Sequence, residues 1–250
     1  MTRFIEHIIE PRRLLLCWQA RDSESRSRYV VGELVQREKN VTLRYFTGTP
    51  EFKEALNNGF VGYPAFPIRS GDVHTGQVLE AFTRRLPPRN RRDFSRYLEM
   101  RGISPEAEIS DFALLGYTGA KLPNDGFEIV HTFEHAGDQV EFVLEVAGFR
   151  HESTIPADQI VVGESVTFHP EPENQYDPHA IRIELRGTKI GYVARGHAPV
   201  ILDFLNDGAE ISGEVFRKNG TAERPLIYIF TQLTLSDCGQ HGHPESVISV

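Results

Sequence analysis

Residues 171–180 read EPENQYDPHA, and they join two runs, 161–169 and 180–185, that alternate and carry β-branched residues in the manner of strands. Pro172, Asn174 and Pro178 punctuate the connection, because proline presets φ and asparagine bonds its own backbone, so the segment reads as a tight loop. By composition alone it is an exposed acidic turn. A loop held between two strands is also a usual place for a ligand site, and Tyr176-Asp177 puts an aromatic face beside a carboxylate there.

Working outward, the second half of the chain is strand-rich. Residues 140–146, 161–168, 180–185, 189–193, 210–216 and 226–233 are the candidate strands. Residues 197–206 predict a helix with Ile201, Phe204 and Leu205 on one face and Gly208 just beyond it. Six short strands with one or two helices predict a small OB-like β-barrel. The polar stretch 235–250 is expected to be a flexible tail.

The first half reads as α+β. Runs 13–20, 28–35 and 41–46 predict a small antiparallel sheet. Residues 49–59 predict a helix capped by Thr49, begun by Pro50 and stopped by Gly59, with Phe52, Ala55 and Leu56 on its apolar face. Further helices are expected over 75–82, 94–100 and 109–115, and a strand over 127–133. The turn signal LPNDG at 122–126 and the HAGD at 135–138 place a boundary, giving domains over 1–134 and 135–234.

The formal charge of −8 argues against a protein that coats duplex nucleic acid by charge alone. Locally the balance inverts: seven arginines and two acids fall within residues 84–101, a charge of +5. Arginine forks fit phosphate oxygens, so Arg89, Arg91, Arg92 and Arg96 are candidates for a secondary phosphate contact. A solvated helix face whose arginines pair with nearby acids fits the same pattern. Cys17 and Cys238 lie far apart and define no disulfide framework, which fits a cytoplasmic location. No apolar run approaches the roughly 20 residues of a membrane span. No phosphate-binding P-loop, nucleophile elbow or H-E-x-x-H helix is present, so no enzyme activity is expected. His169, Asp177 and His179 match no metal-ligand spacing, and Cys238, His241 and His243 lack a second ligand pair, so no metal or cofactor is expected.

Gly148 to Glu152 reads GFRHE as a strand ends, Pro172 to Ile181 follows P-x-N-x-Y-D-x-x-A-I, and Gly191 to Arg195 reads GYVAR. This order, over about 139–233, resembles the HIRAN domain, a module found at the front of some DNA-remodelling helicases and alone in bacterial proteins. The resemblance implies an OB-like fold and a site for the 3′ end of single-stranded DNA. It implies that Tyr176 stacks on a base, Asp177 accepts a hydrogen bond from the 3′-hydroxyl, and Arg150 and Arg195 meet phosphates. His151 stands where the family often has an aromatic, Tyr192 stands where a ring is usual, and near the last hairpin Phe216 is the substitute for a further aromatic. Stacking is worth about 1–3 kcal/mol per base and tolerates any sequence.

Trp18-Gln19, the VGEL at 31–34, the crossing at 60–68, Leu86-Pro87-Pro88-Arg89 and the DFALLGYTG at 111–119 resemble the N-terminal subdomain of HipA-type kinases. No kinase catalytic loop accompanies them. Two functions follow: a non-enzymatic binder of single-stranded DNA or its 3′ end, or an interaction module that docks on a separate HipA-type kinase or helix-turn-helix partner.

Overall fold

The computed structural model describes residues 3–20, 28–122, 125–134 and 136–235. Cys238, His241, His243 and the expected tail beyond Leu235 lie outside the described residues, as do Pro123 and Asn124 of the LPNDG turn and His135. The chain forms two compact units. One is built from residues 9–94 and 108–134, the other from 3–8, 95–107 and 136–235. The chain passes between units after residues 8, 94 and 107 and between residues 134 and 136.

The first unit contains β1 (Arg13–Gln19), β2 (Arg28–Arg37), β3 (Asn40–Tyr45), α1 (Pro50–Asn57), β4 (Gly62–Tyr63), β5 (Phe66–Pro67), β6 (Val73–His74) and α2 (Val78–Thr83). After α3 (Phe94–Glu99), which crosses between units, come α4 (Asp111–Thr118) and β7 (Phe127–His131). The main sheet is antiparallel in the order β6-β3-β2-β1-β7. Besides the three strands expected to form it, the sheet takes in β6 and β7, the latter within the strand expected over 127–133. β6 has only two residues, too few to alternate, and β7 returns from beyond α4 to pair Phe127 with Trp18 and His131 with Leu14.

Local chemistry sets α1 as expected: the Thr49 hydroxyl accepts the Phe52 N–H at 3.2 Å, and Pro50 occupies the first turn. Phe52 and Ala55 are buried, but Leu56, expected on the same face, is exposed because it lies on the flank of the buried stripe. Cys17 is buried in β1, where desolvation first and the charge of Glu128 second push its thiol pKa up, so it stays protonated and unreactive.

The second unit contains β8 (Gln139–Glu145), α5 (Phe149–Glu152), β9 (Ser165–Pro170), β10 (Ile181–Leu185), β11 (Thr188–Tyr192), α6 (Ala198–Asn206), β12 (Glu210–Gly220) and β13 (Pro225–Thr234). Its six strands form one sheet in the order β11-β10-β9-β12-β13-β8, every pairing antiparallel. The expected barrel is not closed by a ladder. The two ends of the sheet meet instead at one bridge, where Ala147 and Tyr192 exchange backbone hydrogen bonds of 2.8 and 2.9 Å.

Two local expectations change. GFRHE does not end a strand: β8 stops at Glu145, and residues 149–152 wind into the single helical turn α5 after Gly148, which has φ +74°. The strand expected from residue 161 begins only at Ser165. Residues 161–164 turn instead, because the Glu164 carboxylate accepts the Val161 N–H at 2.9 Å, and this leaves Val161 and Val162 exposed despite their β-branched side chains. α6 forms as expected, with Ile201 and Phe204 buried.

Gly191 permits the meeting of the sheet ends. Its φ is +146°, and a Cβ there would lie 2.5 Å from the Ala147 carbonyl oxygen and 2.6 Å from Val146 Cγ1. Gly191→Ala is expected to destabilise the fold by about 2–3 kcal/mol, lowering the urea midpoint with little change in slope. An unchanged midpoint would show that the close approach is unimportant to the fold.

Candidate functional site

The loop between β9 and β10 is built from its own polar side chains. At its base Glu171 donates its N–H to the Ala180 carbonyl at 2.8 Å and accepts the Asn174 N–H at 3.0 Å. The Asn174 side-chain oxygen accepts the N–H groups of Tyr176 and Asp177 at 3.0 and 3.2 Å, while its Nδ2 donates to Glu171 Oε2 at 2.9 Å. Asp177 Oδ1 accepts the His179 N–H at 3.0 Å, so the PENQYD sequence turns the chain twice by side-chain caps.

Arg195, just past β11, locks this loop from outside. Its Nε lies 3.0 Å from Asp177 Oδ2, and its Nη2 donates to the Tyr176 carbonyl at 2.7 Å. Tyr192 donates its hydroxyl to Glu171 Oε2 at 3.2 Å, and Arg182 Nη1 lies 3.1 Å from Glu171 Oε1. Lys189 reaches Glu152 of α5 at 2.5 Å and sits 5.1 Å from the Tyr192 ring centroid. The hydrogen bond to Glu152 holds the Lys189 pKa above its ordinary value. Together with the Ala147–Tyr192 bridge, these contacts bind the loop, β11 and α5 into one structure.

The backbone of Tyr176 is therefore pinned at both its N–H and its carbonyl while its ring projects into solvent with 86 % exposure. Such exposure is unusual for a tyrosine on a well-bonded loop, since aromatic rings are ordinarily more than half covered. Arg150 and His151 are exposed on α5. Among the described residues Arg150 has no hydrogen-bond or ion-pair partner.

The structure thus joins Tyr176, Asp177 and Arg195 by direct bonds. Tyr192 reaches the same loop through Glu171, while Arg150 and His151 stand on the turn that β11 supports. Arg195 acts on the loop: two of its nitrogens are committed to it. Asp177 Oδ1 accepts the His179 N–H and lies 3.6 Å from His179 Nδ1, while Oδ2 faces Arg195 Nε and retains a second acceptor position. Phe216 is directed elsewhere, packing on Phe230 with ring centroids 6.1 Å apart.

The arginine window is divided. Arg89, Arg91 and Arg92 belong to the first unit and Arg96 to the second. Arg89 is bound to Asp111 and to the Ile109 carbonyl, each at 2.7 Å, and Arg91 holds Asp93 through both side-chain nitrogens facing it. Arg92 and Arg96 are exposed and have no such partner among the described residues.

Sequence reasoning missed Glu171, Asn174 and Lys189 as organisers of the site. Asn174 was visible as a turn former, but Glu171 and Lys189 gave no signal, because Arg182 and Tyr192 lie 11 and 21 residues from Glu171, and Glu152 lies 37 residues from Lys189. Among the described residues no group of three or more His, Cys, Asp or Glu side chains could hold a metal ion. No helix among them is long and apolar enough to cross a membrane.

Residues 139–233 match the HIRAN domain family, so the chain carries a HIRAN domain in its second half. A crystal structure of a protein from Lactobacillus plantarum is similar at 22 % identity, covering 39 % of this chain and 99 % of that one, with a TM-score of 0.34. The crystal structure of the HIRAN domain of human HLTF is 23 % identical over 38 % of this chain and 81 % of that one, TM-score 0.27. The NMR structure of the HLTF HIRAN domain in its DNA-bound conformation is 21 % identical over 39 % and 80 %, TM-score 0.30. No curated protein matches the chain.

If Asn174 holds the Tyr176-Asp177 turn, Asn174→Ala will speed amide exchange at these two residues by about tenfold or more, with a global stability loss near 1 kcal/mol. Hydrogen-exchange NMR reads both quantities, and unaltered exchange at Tyr176 would contradict the role given to Asn174.

Proposed function

We propose that this protein is a non-enzymatic DNA-binding protein whose HIRAN domain takes up single-stranded DNA at its 3′ end. The observation that carries the reading is Tyr176, a ring 86 % exposed on a loop whose backbone is fixed on both sides. A rigid, exposed aromatic stacks on a base without first losing conformational freedom, and stacking is indifferent to base identity.

The groups around it suit an end. Arg150 offers an uncommitted guanidinium fork to a phosphate. Asp177 can accept a terminal hydroxyl through its remaining lone pairs, while its charge, with Glu171 and Glu173 on the same loop, opposes a phosphate at that position. This division of charge reconciles a nucleic-acid site with a chain of net charge −8. His151 and Tyr192 complete the wall on the α5 side.

Tyr176→Ala is expected to weaken binding of a short single strand by about 5- to 150-fold, the equivalent of about 1–3 kcal/mol. Asp177→Asn, which keeps an oxygen for the His179 N–H, is expected to erase a preference for a 3′-hydroxyl over a 3′-phosphate. Fluorescence anisotropy with the two end-modified strands measures both. A wild-type protein that binds neither strand would refute the reading, and one indifferent to the end would refute the end recognition.

A second reading concerns the first unit. A cleft of about 460 Å³ is lined by Thr83, Arg84, Leu86, Pro87, Pro88 and Arg89 on one side and by Asp111 and Leu114 on the other. These are the segments that resemble the HipA-type subdomain, and the cleft favours docking on a separate HipA-type kinase or helix-turn-helix protein. Co-purification with such a partner encoded beside this gene, lost in Leu86→Asp, would support it; capture that survives Leu86→Asp would place the contact elsewhere.

A further inference from the structure

The segment 95–107 lies outside the matched HIRAN residues yet packs as part of the second unit. Leu98 and Ile103 are buried there, and the Gly102 carbonyl accepts the Ile5 N–H at 2.6 Å. Gly102 has φ +70°, and a Cβ on it would come within 2.9 Å of Val143 Cγ2 on β8. The segment is therefore fixed against the outer face of β8, β12 and β13.

On that face a bulge re-aims one side chain. The pairing of β12 with β13 shifts between Val215 and Arg217, with Phe216 as the extra residue. Val215 is fully buried, Phe216 turns to Phe230, and Arg217 lies flat on Tyr228, its Cζ 3.5 Å from the ring centroid. Arg217 Nε donates to the Met100 carbonyl at 2.8 Å, which brings the neighbouring Arg101 alongside. Arg101 in turn lies over Tyr97, one helical turn earlier, with its Cζ 5.6 Å from the ring centroid. The Arg217 guanidinium, over Tyr228, is thus tied to the backbone next to Arg101, whose own guanidinium lies over Tyr97.

The surrounding charges are mixed. Glu145 on β8 stands in the same cross-strand row as Tyr228 and Arg217, and Arg96 and Glu99 are exposed on α3. Burial first, and the charge of Arg101 as well, push the Arg217 pKa down despite Tyr228 and Glu145. A further anion would relieve that opposition between the two cations.

We propose that Arg101 and Arg217, backed by Tyr97 and Tyr228, bind a backbone phosphate of single-stranded DNA and lengthen the binding track beyond Tyr176 and Arg150. The inference rests on the DNA-binding reading given above. Planar guanidinium forks backed by aromatic rings are the form of cation best suited to phosphate. The course is short, because Arg150 lies five positions beyond Glu145, the last residue of β8, at most about 18 Å of chain.

The test compares oligonucleotides of about 4 and about 15 nucleotides, a range that spans the site sizes of small single-strand binders. For the longer strand, Arg101→Gln is expected to reduce affinity about three- to tenfold and the magnitude of the log–log salt slope by about 0.7, one phosphate contact. The shorter strand, held at Tyr176, is expected to be unaffected. Arg101→Lys is expected to keep the slope, which separates lost charge from a disturbed fold. Unchanged affinity and slope for the longer strand in Arg101→Gln, or an equal loss on both strands, would overturn the inference and leave the 3′-end reading standing. Wild-type protein that binds neither strand would overturn both.

Discussion

The site depends on one meeting of backbones. A six-stranded sheet whose ends stayed apart would leave β8 and β11 as exposed edges and would separate α5 from the loop at 171–180. The Ala147–Tyr192 bridge brings those ends together with only two hydrogen bonds. It is feasible because residue 191 is glycine, which lets the backbones approach within a distance no side chain allows. Once Tyr192 is held there, its hydroxyl reaches Glu171, Lys189 reaches Glu152, and Arg195 falls beside Asp177. Fold and site thus share a hinge point.

Charge has two roles in this arrangement. Most of the acids and bases near the loop neutralise one another and fix geometry: Glu171 with Arg182, Glu152 with Lys189, Asp177 with Arg195. Such exposed pairs contribute little stability each, but several sharing atoms restrict a loop well. What is left unpaired is a tyrosine ring and the Arg150 fork. The surface thus holds its own charges in place and offers one aromatic face and one guanidinium.

Much of this was legible in the chain itself. Asn174 and the prolines announced a turn, Thr49-Pro50 announced a helix start, and the order GFRHE, PENQYD, GYVAR pointed to a HIRAN domain. The limits were physical. GFRHE looks like a strand end because Phe149 is apolar, and nothing local shows that Gly148 takes a left-handed conformation and starts a helical turn. Val161 and Val162 favour strand by their side chains, but the bonds Glu164 makes to Val161 through its carboxylate and its N–H keep them in a turn. Leu98 and Ile103 are apolar, yet apolarity carries no record of which core they join, so the membership of 95–107 in the second unit could not be foreseen. The arginine window was visible only as charge; pairing with Asp93 and Asp111 divides it into committed and open groups.

The central claim is that single-stranded DNA meets the fixed loop and α5 together. Titrating the ¹⁵N-labelled protein with a short single strand ending in a 3′-hydroxyl tests it directly. The account predicts that the largest backbone amide shifts fall at Arg150 and His151 and at Tyr176 and Asp177, moving in step with one affinity. Shifts confined to other surfaces, or absent at Tyr176 while binding is saturated, would contradict it.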